Sequence, residues 1–67
     1  MEDIFNQIKS LINEDLPLVS NLANVSSVLS KLPNINWCGF YLLINDKLYL
    51  GPFQGDVACT TIELGKG

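Results

Sequence analysis

The sequence predicts an α+β domain: two helices that lead into an antiparallel meander of two or three strands. Three observations carry this reading. Apolar residues recur at helical spacing up to Pro33. After it the pattern changes to aromatic and aliphatic runs of strand length. Turn signals at Asn45-Asp46 and Gly55-Asp56 then cut those runs short. Helices ahead of a meander are expected on one face of its sheet.

The first helix is expected over residues 2–13, where Ile4, Phe5, Ile8, Leu11 and Ile12 share one side. Glu2 and Asp3 suit its N-terminal dipole. Asn13-Glu14-Asp15-Leu16 breaks the pattern. Pro17 then fits the first turn of a second helix, where its missing N–H costs nothing, with Asp15 as the candidate cap. Leu18, Leu22, Val25, Leu29 and Leu32 form the stripe of that helix, roughly residues 17–32, and Pro33-Asn34 ends it.

Residues 36–44 read as a strand. Trp37, Gly39, Tyr41 and Leu43 point one way, and Cys38, Phe40, Leu42 and Ile44 the other. A strand apolar on both faces is usually central and covered on both sides. Asn45-Asp46 is a two-residue turn lacking the favoured glycine. Lys47 to Leu50 returns as the second strand, which Gly51-Pro52 interrupts. Val57 to Glu63 reads as a third strand. No repeat, low-complexity tract or linker divides the chain, so residues 1–67 belong to a single domain.

The net charge is −3, and the four basic residues are scattered lysines, Lys9, Lys31, Lys47 and Lys66. Such a chain cannot neutralise a row of phosphates, which argues against nucleic acid and anionic membranes as partners. Met1-Glu2-Asp3 lacks the basic start of a secretory signal. The run from Trp37 to Ile44 falls well short of the roughly 20 residues that span a bilayer. A cytoplasmic, reducing setting follows, with Cys38 and Cys59 as free thiols unless catalysis oxidises them. Histidine is absent and the chain suggests no metal site.

Sixty-seven residues, 48% of them hydrophobic, is short for a self-sufficient domain yet too apolar for a disordered tail. Two resolutions exist. The chain associates with copies of itself, or it is the front part of a larger domain. The second is favoured, because two helices cover only one face of the sheet and the strand at 36–44 is apolar on both.

The blocks Asn36-Trp37-Cys38-Gly39-Phe40-Tyr41-Leu42-Leu43, Leu48-Tyr49-Leu50-Gly51-Pro52-Phe53-Gln54-Gly55 and Ala58-Cys59, close to Gly65-Lys66-Gly67, together resemble the free methionine-R-sulfoxide reductases. These are small cytosolic enzymes built on a GAF domain. The stretch Asn21 to Leu29 is similar to the second helix of that family. The resemblance implies an incomplete GAF-like domain, the N-terminal part of an L-methionine (R)-S-oxide reductase with no bound cofactor. In the family a thiolate attacks the sulfur of free methionine R-sulfoxide, a second cysteine resolves the sulfenic acid as a disulfide, and thioredoxin restores both thiols. By position Cys59 matches the resolving cysteine, and Trp37 and Tyr41 match aromatics that line the pocket for the substrate methyl. The nucleophile and the substrate-holding carboxylates would follow Gly67, so these 67 residues alone are expected to be inactive. Cys38 stands where relatives carry a small apolar residue and receives no role.

Plainer readings stand beside these. A lone cysteine is more often a small hydrophobe than a redox group. Trp37 and Tyr41, four apart on a strand and so about 13 Å apart along it, are as a bare pattern core residues. Lys66 between two glycines lacks the Ser/Thr of a phosphate-binding loop and reads as a solvated loop residue. Two other functions fit the same residues: a GAF module that binds a small molecule without chemistry, and a truncated reading frame with no function of its own.

Overall fold

A computed structural model describes residues 2–65, and the expected role of Lys66 lies outside that range. The element order is α1 (Glu2–Leu11), α2 (Leu18–Leu29), β1 (Cys38–Ile44), β2 (Lys47–Gln54) and β3 (Thr61–Glu63). The three strands form one antiparallel sheet in the order β1-β2-β3. The expected α+β architecture is therefore present.

Helix α1 stops two residues earlier than its periodicity suggests, because Asn13 organises a turn. Its side-chain oxygen accepts from the Asp15 N–H at 2.9 Å, and its carbonyl accepts from the Leu16 N–H at 3.1 Å. Such a side-chain turn competes directly with helix continuation. Asn21, on α2, locks the corner from the other side. Its amide oxygen accepts from the Asn13 N–H at 3.1 Å, and its amide nitrogen donates to the Asn13 carbonyl at 2.9 Å. Pro17 is the cap residue of α2, one position before the expected first turn, and no side chain caps the helix. Asp15 therefore does not serve as its cap.

Helix α2 packs against α1 and against both β1 and β2. Among the described residues Val28 is the buried hydrophobic side chain, and Ser26, two positions before it, is buried as well. Both lie off the expected stripe, whereas Leu18 at its start is 65% exposed. The small Ser26 satisfies its own hydroxyl by donating to the Ala23 carbonyl at 2.8 Å, so its burial leaves no unpaired polar group. After Leu29 the chain tightens into shorter-range bonds, and Asn34 adopts a left-handed conformation with φ 68°.

The sheet departs from expectation in three ways. Strand β1 begins at Cys38 rather than residue 36, and it is an edge strand, not the central one. Its residues are half-buried or exposed, none fully buried. Strand β2 is central, and it does not end at Gly51-Pro52. Instead the pairing slips by one residue. Gly39 faces Phe53 and Tyr41 faces Leu50, so Phe40 alone opposes Gly51 and Pro52. A bulge admits the extra residue, and Pro52 stands beyond the reach of β3, which pairs with Lys47 to Tyr49. Finally, β3 is only three residues long, and residues 57–60 are irregular.

The molecule measures 18 Å in its thinnest direction, the depth of one helix layer on one sheet. Its accessible surface is 5209 Å², roughly a quarter above the ~4,200 Å² of a compact monomer of this mass. Leu43, Ile44 and Val57 are among the exposed large apolar residues. Among the described residues no helix is long and apolar enough to cross a membrane.

Asn45 and Asp46 both take positive φ, 50° and 67°, and the Ile44–Lys47 pair closes the hairpin around them. This is the two-residue turn whose twist matches that of the flanking strands. Asp46→Gly should relieve the left-handed strain and stabilise the chain by about 0.5–1 kcal/mol in urea unfolding. Asn21→Ala, which removes both bonds to Asn13, should cost about 1–2 kcal/mol in the same measurement.

Candidate functional site

Trp37 sits immediately before β1, and its indole is the centre of an aromatic stack. The Phe53 ring lies 5.6 Å from it, centroid to centroid, at an interplanar angle of 17°. The Tyr41 ring lies 6.4 Å from it at 28°. Both distances fall in the range of attractive aromatic pairs. Trp37 and Tyr41 were expected to share a face at about 13 Å along an extended strand. Their ring centroids approach to 6.4 Å, with Trp37 outside the regular strand and Gly39, which has no side chain, between them.

Gly39 is required there by space. A Cβ at that position would collide with the Phe53 side chain and come within 2.8 Å of Trp37 Cη2. Gly55 serves the other edge of the indole. Its φ of +130° suits glycine alone, and a Cβ on it would lie 2.8 Å from Trp37 Cδ1. The indole thus fills a slot made by two absent side chains and one aromatic ring.

The polar ends of both aromatics are committed. Trp37 Nε1 donates to the Asp56 carbonyl at 3.0 Å, and the Tyr41 hydroxyl donates to the Cys59 carbonyl at 2.8 Å. These bonds hold the irregular segment that carries Cys59 against the aromatic cluster. Cys59 is an exposed free thiol in this segment, three-dimensionally next to Tyr41 though eighteen residues away in sequence. At the end of the segment the Leu50 N–H donates to the Thr60 carbonyl at 2.9 Å.

Cys38 stands three residues before Tyr41 in β1, an odd offset that sets the two on opposite faces of a strand, and it is half-buried. Glu14 and Asp15 are exposed residues of the α1–α2 turn, remote in the chain from the cluster. Among the described residues no group of three His, Cys, Asp or Glu could hold a metal ion.

The structure therefore gathers all three sequence-selected residues, Trp37, Tyr41 and Cys59, at one end of the sheet. Sequence reasoning missed Phe53, Gly39 and Gly55. The signal for Phe53 was the Gly51-Pro52 pair, which reads as a strand break but acts as a bulge. Glycines at two and eighteen positions after a tryptophan carry no recognisable spacing, since their partner is shared only in the folded chain.

No protein-family profile matches the chain. Individual proteins do. The free methionine-R-sulfoxide reductase of Escherichia coli is 44% identical over 66 residues, covering 97% of this chain and 40% of the relative. In structure, the fRMsr of Staphylococcus aureus in complex with substrate superposes with a TM-score of 0.90 at 43% identity, covering 98% of this chain and 44% of that one. A solved GAF domain superposes at 0.79 with 40% identity, again covering 98% of this chain and 44% of its own. The chain is thus similar to free methionine-R-sulfoxide reductases, and its fold is that of part of a GAF domain. It spans about two fifths of the length of the relatives it matches.

Trp37 is the chain's only tryptophan, so its fluorescence reports the stack directly. Gly39→Ala should shift the emission maximum and destabilise the fold by about 1–3 kcal/mol, the usual cost of overpacking. Near-ultraviolet circular dichroism should lose aromatic intensity in the same variant.

Proposed function

We propose that this chain forms the N-terminal part of a reductase of free methionine R-sulfoxide, in which Trp37 and Tyr41 line the methyl pocket and Cys59 is the resolving thiol. The observation that carries this reading is the pair of hydrogen bonds that join the aromatic stack to the Cys59 segment. A pocket wall and a thiol that is exposed to solvent and held beside it are what such a reaction asks of this part of a domain.

The chemistry balances in two steps at the protein. A nucleophilic thiolate attacks the sulfoxide sulfur. The sulfoxide is reduced to the thioether, and the oxygen is left on the nucleophile as a sulfenic acid. The Cys59 thiolate then attacks the sulfenic sulfur, the S–S bond forms, the S–O bond breaks, and the departing hydroxide takes a proton from solvent and leaves as water. A thioredoxin-type dithiol reduces that disulfide, taking the oxidising equivalents away. The aromatic faces meet the substrate methyl through dispersion. Their N–H and O–H groups are already occupied by loop carbonyls, so they present apolar surface only. The nucleophile and the groups that hold the amino-acid end belong to the remaining three fifths of the domain. Cys38 is not given the nucleophile's role, because strand alternation sets it on the other face of β1 from Tyr41. The setting is cytoplasmic, where a thioredoxin-type dithiol keeps Cys59 reduced.

A second reading is a GAF module that binds a small apolar or planar ligand without chemistry. The aromatic stack favours it equally, and the match to a GAF domain of unstated activity accommodates it.

One experiment separates the two. Residues 1–67 are joined to the C-terminal remainder of the E. coli relative and assayed with thioredoxin, its reductase and free methionine R-sulfoxide. Turnover is expected from the chimera and not from the 67 residues alone. Cys59→Ser should lower steady-state turnover at least tenfold and leave a sulfenic acid that dimedone traps. Full turnover in the serine variant, with no trapped species, would sink the resolving role.

A further inference from the structure

The two aromatics have a second task beyond lining a pocket. Residues 57–59 make no regular strand, and β3 begins only at Thr61. The backbone around Cys59 is fixed by three donors from neighbouring β1 and β2 chain segments. Trp37 Nε1 reaches the Asp56 carbonyl, Tyr41 reaches the Cys59 carbonyl, and the Leu50 N–H reaches the Thr60 carbonyl. Of these, the Tyr41 bond acts on the cysteine residue itself. Tyr41 also stands opposite Leu50 across the β1–β2 ladder, so the bond from the Leu50 N–H to the Thr60 carbonyl lies beside the residue whose hydroxyl holds Cys59.

We infer that Tyr41 is a positioning residue: its hydroxyl, by donating to the Cys59 carbonyl, fixes the segment from which the Cys59 thiol must reach its sulfenic-acid partner. This rests on the reductase reading and deepens it. The attack of the Cys59 thiolate on a sulfenic sulfur needs the two sulfurs brought together along one line, and a segment without ladder bonds loses that placement readily. The substrate-facing step does not need the hydroxyl, because the methyl group meets only the ring. Tyr41 therefore separates the two half-reactions. Its ring serves sulfoxide binding, and its oxygen serves disulfide formation.

Tyr41→Phe keeps the ring and removes the donor, with Tyr49→Phe as the control on a tyrosine whose partner across the ladder is Leu42. The first measurement uses residues 1–67 alone and does not depend on the reductase reading. Amide exchange by NMR should show the Leu50 N–H exchanging at least fivefold faster in Tyr41→Phe and unchanged in Tyr49→Phe. The second uses the chimera. Tyr41→Phe should slow the resolving step by a larger factor than it slows the single-turnover release of methionine. It should lengthen the lifetime of the sulfenic acid, read by adding dimedone at timed intervals, at least fivefold and lower kcat where resolution limits turnover. A merely structural role would lower KM-dependent and single-turnover rates together. Unchanged Leu50 exchange, or a sulfenic acid that disappears at the parental rate, would overturn the inference. A chimera inactive with Tyr41 intact would remove the reductase reading instead, and the exchange measurement would still decide whether the hydroxyl holds the segment.

Discussion

The one-residue slip between β1 and β2 is the constraint on which the rest of the site depends. In an unbroken ladder continuing from Tyr41–Leu50, Gly39 would face Pro52, and Phe53 would stand opposite Cys38 on the other face of the sheet. The bulge at Gly51-Pro52 absorbs one residue and reverses that parity. Phe53 then arrives beside Gly39, where the indole of Trp37 can lie against it. Proline suits the position because β3 no longer pairs there, so the missing N–H breaks no ladder bond on that side. A local irregularity in two backbone strands thus decides which side chains share a face.

From the slip follows the division of labour within the aromatic cluster. Rings meet rings through their faces, while the indole N–H and the phenol O–H point outward to carbonyls of the segment after β2. The arrangement meets two requirements at once. Buried or half-buried polar atoms of tryptophan and tyrosine need partners, and an irregular segment needs anchors where it has no ladder. Among the described residues no buried side-chain polar atom is left without a hydrogen bond. The same economy holds at the helical corner, where Asn13 and Asn21 replace backbone pairing with side-chain amides.

The slab-like shape has a matching cause. One helix layer covers a sheet whose edge strand is apolar on both faces, so β1 stays half-buried and residues such as Leu43, at 64%, remain open to solvent. The edge location corrects the expectation that an all-apolar strand is central. Apolar composition reports how much cover a strand is suited to, not where it stands in the described sheet.

Much of this was written in local patterns. The 3.6-residue spacing of Ile4, Ile8 and Leu11, and of Leu22, Val25 and Leu29, specifies two helices because each interaction spans a single turn. Asn45-Asp46 specifies its hairpin because the turn conformation is a property of those two residues and the strands' twist. The motif resemblance singled out Trp37, Tyr41 and Cys59 by residue type and order. What no local pattern carried was the bulge parity, the recruitment of Phe53, the slot between Gly39 and Gly55, and the tie from Tyr41 to the Cys59 carbonyl. Each of these depends on contacts between residues nine to eighteen positions apart, whose geometry exists only after the strands have chosen their register. The chain alone determined which elements form; the paired sheet decided which of their side chains meet.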